Sequence, residues 1–238
     1  MAYYQGDLQR AITLQKESLA LYQAAGDERG IATLLSNLGT TAVSQGDYEQ
    51  AMSLLQEGLK RCRELGEKFG TARALGNLGE VARHLGDLEG ATARYEESLV
   101  LFRELGDTWS IALAIHNLGL VAAERGDFVR ALRLQRESLT LSQELGDRES
   151  LPESLEKLAD VLGAQQHPER AARLLGAAEA LREAIHMSVF PCDRTDYERT
   201  VVAVRAQLDE VNFASAWAAG RALTPEQVIE YSLEQTKD

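Results

Sequence analysis

Asn37-Leu38-Gly39, Asn77-Leu78-Gly79 and Asn117-Leu118-Gly119 are one tripeptide met three times, at intervals of forty residues. Other series keep the same step. Gly-Asp stands at Gly6-Asp7, Gly46-Asp47, Gly86-Asp87 and Gly126-Asp127, and an alanine comes after at Ala11, Ala51, Ala91, Ala131 and Ala171. A second glycine-acid pair recurs at Gly26-Asp27, Gly66-Glu67, Gly106-Asp107 and Gly146-Asp147. Independent series held in phase over four units define an internal repeat. Two turns per unit make each unit a pair of helices, because glycine ends a helix in the left-handed region and aspartate caps the next.

The turn positions predict helices over residues 28–45 and 47–65, 68–85 and 87–105, 108–125 and 127–145, and 148–165 and 167–185. Small residues supply the packing logic. Gly39, Gly79, Gly119 and Ala159 on the first helices, with Ala51, Ala91, Ala131 and Ala171 on the second, let paired helices approach closely. Glycine inside a helix otherwise costs about 1 kcal/mol against alanine. Leu38, Leu78, Leu118 and Leu158 are expected to fill the seam between neighbours. Ser18, Gly58, Ser98, Ser138 and Ala178 are expected to mark where the next unit docks.

Composition agrees with helices and narrows the function. Four prolines and 6% aromatics in 238 residues argue against a sheet-rich fold, which draws on β-branched and aromatic side chains. A net charge of −12 is the wrong sign for neutralising phosphates, so direct nucleic-acid binding is not expected. Two cysteines, Cys62 and Cys192, are too few for a disulfide framework or a zinc site, and a cytoplasmic setting is expected. No run approaches the roughly 18 apolar residues of a membrane span, so no membrane partner is expected.

The pattern of small and large positions resembles the tetratricopeptide repeat in its longer form, from residue 1 to about 186. The resemblance implies an all-α fold: a right-handed α-solenoid of helix pairs closed by a C-terminal helical cap. Domain expectations are an array over 1–186 (a half repeat at 1–26, then four pairs) and capping helices over 187–238. The Asn-Leu-Gly units, with Ala72-Arg73-Ala74-Leu75 before the second, are similar to those of animal cell-polarity adaptors that bind peptides. The fourth unit departs from the pattern at Lys157, Ala159 and Gln166-His167, as an array's terminal unit does. At the other end Ala2-Tyr3-Tyr4-Gln5 reads as the last turn of a missing first helix. Either Met1 opens a fragment of a longer chain or another chain covers this end, and self-association through it is one expectation.

After residue 186 the repeat stops. His186 to Pro191 reads as a loop, with Asp193 capping a helix over 194–209 whose Tyr197, Val201, Val204 and Leu208 form one stripe over the last repeat. A short helix carries Phe213 and Trp217. Thr224-Pro225-Glu226 then opens a final helix to about 235. The segments Ala171 to Arg182, Asp196-Tyr197-Glu198-Arg199 and Ala216 to Thr224 resemble the C-terminal end of large bacterial regulators. These are the switch (STAND) ATPases with an NB-ARC-type domain, a repeat region and often a LuxR-type helix-turn-helix. The resemblance implies a sensor or interaction arm of a signalling or transcriptional regulator. No Gly-x-x-x-x-Gly-Lys-Ser/Thr motif is present, so nucleotide and DNA binding are not assigned to these residues.

Stacked helix pairs present their first helices on a concave face. The repeat register places there Asn37; Arg73, Asn77 and Arg83; Leu113, His116 and Asn117; and Glu153, Glu156, Lys157 and Asp160. Of these, Asn37, Arg73, Asn77, Arg83, His116, Asn117 and Lys157 are the candidate ligand-binding residues. An asparagine offers a donor and an acceptor, so a ladder of Asn37, Asn77 and Asn117 can hold an extended peptide backbone, and Arg73 and Arg83 add a preference for an acidic group. The same asparagines can instead bond neighbouring helices and fix the pitch. Cys62 reads as a partly exposed thiol. No histidine has a carboxylate or cysteine at metal-ligand spacing, and no nucleophile motif is present, so no catalytic residue, metal or cofactor is expected. The expected function is a non-catalytic protein- or peptide-binding scaffold. The alternatives are a small-molecule inducer site on the same surface, or a self-association module.

Overall fold

The computed structural model describes residues 8–189 and 194–234, with side chains from residue 10. Among them are twelve α-helices and no strand. The chain is an all-α helical-repeat solenoid, divided into two compact units at residues 107 and 108.

Unit 1 holds α1 (Leu8–Ala25), α2 (Glu28–Ser44), α3 (Tyr48–Glu64), α4 (Lys68–His84) and α5 (Leu88–Leu105). The turns work as the sequence predicts. Asp27, Asp47 and Asp87 accept from the backbone N–H three residues on, at 2.9–3.0 Å. Glu67 makes no such cap; its longer side chain pairs instead with Arg29. The seam of each pair arises from missing side chains. A Cβ at Gly79 would stand 2.8 Å from the ring of Tyr95, which is wholly buried. Leu78 joins Leu55, Ala51 and Val81 in a core cluster that ties α4 to the preceding pair, as the seam expectation required.

One packing expectation is corrected. Gly58 and Ser98 do not mark the docking of the next unit; they face the first helix of their own pair. Ser98 Oγ donates to the Ala72 carbonyl at 2.7 Å, and a Cβ at Gly58 would lie 3.3 Å from the Ala32 carbonyl. Along α3 the contact with α2 recurs once per turn, at Leu55 against Gly39 and at Gly58 against Ala32. Contact with the next first helix falls near the end of the second, where Cys62 abuts Gly70. Cys62 is therefore buried rather than partly exposed, and burial pushes its thiol pKa up.

Unit 2 holds α6 (Thr108–Glu124), α7 (Phe128–Leu145), α8 (Leu151–Ala164), α9 (Pro168–Ala184), α10 (Arg194–Arg205), α11 (Glu210–Arg221) and α12 (Pro225–Leu233). Ser138 Oγ donates to the Ala112 carbonyl at 2.8 Å, repeating the Ser98 bond. α8 begins three residues later than predicted. Asp147 Oδ1 there accepts from both Glu149 and Ser150 N–H groups, which fold a turn ahead of Pro152. α10 ends at Arg205, short of the predicted 209, and Asp209 caps α11 through Asn212 N at 2.8 Å. The stripe on α10 lies as expected: Val204 is buried, and Tyr197, Val201 and Leu208 pack on the core of α8 and α9. Thr224 caps α12 as predicted, and Gln227 returns the bond to make the cap reciprocal. The α12 C-terminus is held from α7 and α9, where Arg136 donates to the Ser232 carbonyl and Arg170 to that of Tyr231. Cationic donors at a helix C-terminus satisfy its open carbonyls and complement its dipole. The expectations on residues 1–7 and on Phe190, Pro191, Cys192 and Asp193 lie outside the described residues.

Candidate interaction surfaces

In unit 1 the first helices α2 and α4 lie alongside each other. Arg73 and Asn77 stand one turn apart on α4. Asn77 Nδ2 donates to Thr40 Oγ1 at 2.8 Å, which leaves its carbonyl oxygen as the open half of the amide. Thr40 completes the chain by donating to the Ser36 carbonyl at 3.0 Å. Asn37 is half-buried, and its amide makes no hydrogen bond among the described residues.

Arg73 is the most unusual cation of this surface. Its Nη2 reaches the Thr33 carbonyl only at 3.4 Å, and its Nε is buried with no partner among the described residues. Burial lowers its pKa from the ordinary arginine value. A desolvated guanidinium with unused donors gains from a carboxylate, which can take two of them at once. Arg83 stands near the C-terminal end of α4 with its Nη2 3.2 Å from His84 Nε2, and His84 stacks on Tyr48 with centroids 5.0 Å apart.

In unit 2 the corresponding helices are α6 and α8. His116 is buried, with Nε2 3.9 Å from Glu153 Oε1, while Gln135 Nε2 donates to its carbonyl at 3.1 Å. Asn117 and Lys157 are half-buried and have no partner for their polar ends among the described residues. The acidic stretch expected on α8 is largely absorbed by the fold. Glu156 is buried against Arg182, which donates to both its oxygens at 2.7 and 2.8 Å. Asp160 accepts from Thr200 of α10 at 2.9 Å.

Trp109 is absent from the candidate residues yet prominent in the structure. It is 55% exposed on α6, one turn ahead of Leu113 at 44%. The signal was available, since two large apolar residues four apart share a helix face. It was passed over because the candidate residues were chosen for polar groups, and Trp109 stands in the first turn of the predicted 108–125 helix. On α1, Leu14 and Leu21 are likewise exposed. Among the described residues no group of three or more His, Cys, Asp or Glu could hold a metal ion, and no helix is long and apolar enough to cross a membrane.

Antiparallel helix pairs on a fixed period, with glycine seams and aspartate caps, define a tetratricopeptide-type repeat protein. The chain belongs to the MalT-like TPR region family, which matches residues 1–237. Chains named as HTH-type transcriptional regulators from Mycobacterium tuberculosis and Mycobacterium bovis are 35% identical over 78 residues, or 33% of this chain. The match spans 9% of each of those curated relatives. BtubC from P. vanneervenii shares the fold with a TM-score of 0.65 at 20% identity, covering 95% of this chain and 92% of that one. The Rap conjugation gene regulator of the plasmid pLS20, solved in complex with a Phr peptide, gives 0.64 at 12% identity over 99% and 74%. A Podospora anserina kinesin light chain with TPR-like repeats gives 0.56 at 15% identity over 79% and 92%.

Proposed function

We propose that this chain is a non-catalytic binding module that holds an extended peptide or protein segment against its first-helix faces. It serves as the sensor or interaction arm of a larger bacterial regulator, of the STAND ATPase kind with a LuxR-type or related helix-turn-helix. The observation that carries the reading is the state of the polar side chains on α2 and α4. Asn37 keeps its amide open, Asn77 keeps an acceptor, and Arg73 is a desolvated cation with an unpaired Nε. A fold satisfies its buried polar groups when they serve packing alone, so donors and acceptors left over on one face fit a ligand with a backbone and a carboxylate. Asn117, His116 and Lys157 supply the corresponding groups of unit 2, with Trp109 and Leu113 as an apolar anchor beside them. Solvent-excluded aromatic anchors carry much of the energy of protein interfaces. Family membership and the peptide complex of the Rap regulator favour the same reading.

The test is a phage-displayed peptide selection on the intact chain, then affinity of the selected peptides for an Arg73→Ala/Asn77→Ala variant. A loss of about tenfold or more, corresponding to about 1.4 kcal/mol, with unchanged far-ultraviolet circular dichroism supports the α4 site. Peptides that bind the double variant undiminished remove Arg73 and Asn77 from the site.

A further inference from the structure

Unit 2 also carries a groove of about 720 Å³ between α10 and α11, with Glu179 of α9 at its floor. The two helices reach α9 differently. α11 crosses it in backbone contact, where Gly176 admits the Trp217 carbonyl and Gly220 admits that of Arg173. α10 rests on α8 and α9 through Tyr197, Val201 and Val204. Held apart in this way, they leave an apolar trough lined by Tyr197 and Val201 on one wall and Phe213 and Trp217 on the other.

The lining extends from residue 197 to 205 on α10 and from 210 to 221 on α11. At 1.5 Å per residue the walls run roughly 12 and 17 Å, or about two and three turns. A long trough between two helices, open on its outer side, suits a third helix better than a compact ligand. The lip of the trough keeps its apolar character, since Val202 is 67% exposed.

Charge selects the kind of helix. Arg205 is bound by Glu210 at 2.6 Å and lies over the Phe213 ring, and Arg221 is bound by Glu179 and by Glu183. Both cations of the lining are thus neutralised. Glu198 on the α10 lip has no cationic partner among the described residues. The Tyr197 phenol on the α10 wall is pushed up to about 12, chiefly by burial.

We propose that the α10–α11 groove is a docking site for an amphipathic helix of a partner protein, with an apolar stripe that enters the trough and lysine or arginine beside it facing Glu198. Helix-in-groove recognition of this kind reads apolar anchors at i, i+3 or i+4, and i+7. It shares no residue with the peptide-binding surface proposed above and does not depend on it.

The test uses two synthetic 14-residue helices, one of leucine and lysine and one of leucine and glutamate, with the intact chain in a Trp109→Phe background. Trp217 is then the sole tryptophan and reports from the groove. The leucine-lysine helix is expected to shift Trp217 emission and to bind with saturation, and the leucine-glutamate helix to bind at least tenfold more weakly. Val202→Asp places a charge on an exposed apolar lip without touching the core and should weaken binding about tenfold, of the order seen at interface anchors. Glu198→Lys should weaken the leucine-lysine helix and strengthen its acidic counterpart. Binding without a Trp217 response, binding unchanged in Val202→Asp, or no binding of the leucine-lysine helix overturns the proposal. Concentration-dependent dimerisation abolished by Val202→Asp also overturns it, by making a second copy of the chain the occupant.

Discussion

In the α4–α5 pair, the position after Leu75 is Gly76, its counterpart on α5 is Ser98, and Phe102 closes the end of the seam. In the α8–α9 pair the same repeat positions hold Glu156, Ala178 and Arg182, and the seam is closed by a buried ion pair. In sequence, the first pair is followed by another first helix of the repeat. After the second comes α10, and Arg182 Nη1 also reaches the Ser188 carbonyl at 3.4 Å, in the turn leaving α9. Small residues transmit the repeat; the charged pair marks its end and anchors the segment that leaves it. The two seams should therefore fail in different ways.

The largest expected effect is Glu156→Ala. It leaves the Arg182 guanidinium buried without its carboxylate and should cost about 3–5 kcal/mol, because breaking one half of a buried pair strands a charge. Chemical denaturation monitored by circular dichroism reads the loss. Glu156→Leu together with Arg182→Leu should recover most of it, since replacing both partners removes the stranded charge. A double variant as unstable as the single would show that the pair is needed for the path of residues 185–189, beyond electrostatics.

Next come the two close approaches. Gly176→Ala drives a Cβ into the Trp217 carbonyl, and a backbone cannot rotate away. Gly79→Ala meets the ring edge of Tyr95, a side chain with some freedom to tilt. Both are overpacking changes of about 1–3 kcal/mol, and alanine returns up to about 1 kcal/mol of helix propensity. Gly176→Ala should thus lower the melting temperature more than Gly79→Ala. The reverse order would mean that the α9–α11 crossing is the softer contact.

The repeat seams were legible because they are written in residue identity. Glycine at 39, 79 and 119 announces a close approach wherever it recurs, and Asp after Gly announces a cap. Three features were not legible. The Gly58 and Ser98 series looked like an outer docking position, since periodicity gives the spacing of a contact but not the helix on its other side. Glu156 and Asp160 read as exposed acids because Arg182 and Thr200 lie 26 and 40 residues away, outside any local pattern. The α10–α11 groove depends on where two non-repeating helices stop, and α10 ends four residues before its apolar pattern suggested. Among candidate site residues, sequence placed Arg73 and Asn77 on one face but gave no sign that one arginine nitrogen is buried and unpaired while half the asparagine amide is already bonded to Thr40.

The smallest effect has the opposite sign and separates the repeat from its terminus at a single turn. Gly46, Gly86 and Gly126 carry positive φ between the helices of their pairs, and in the last pair the same position is Gln166, with φ of 65°. A residue with a Cβ pays about 1–2 kcal/mol in the left-handed region, and glycine does not. Part of that gain is lost because glycine leaves the unfolded chain more freedom. Gln166→Gly should therefore stabilise the protein by about 0.5–1 kcal/mol, and the matching Gly126→Gln should destabilise it by a similar amount. If Gln166→Gly proves neutral or harmful, the Gln166 side chain contributes a contact of its own to unit 2. The turn would then be an adapted one rather than a degenerate copy of the repeat.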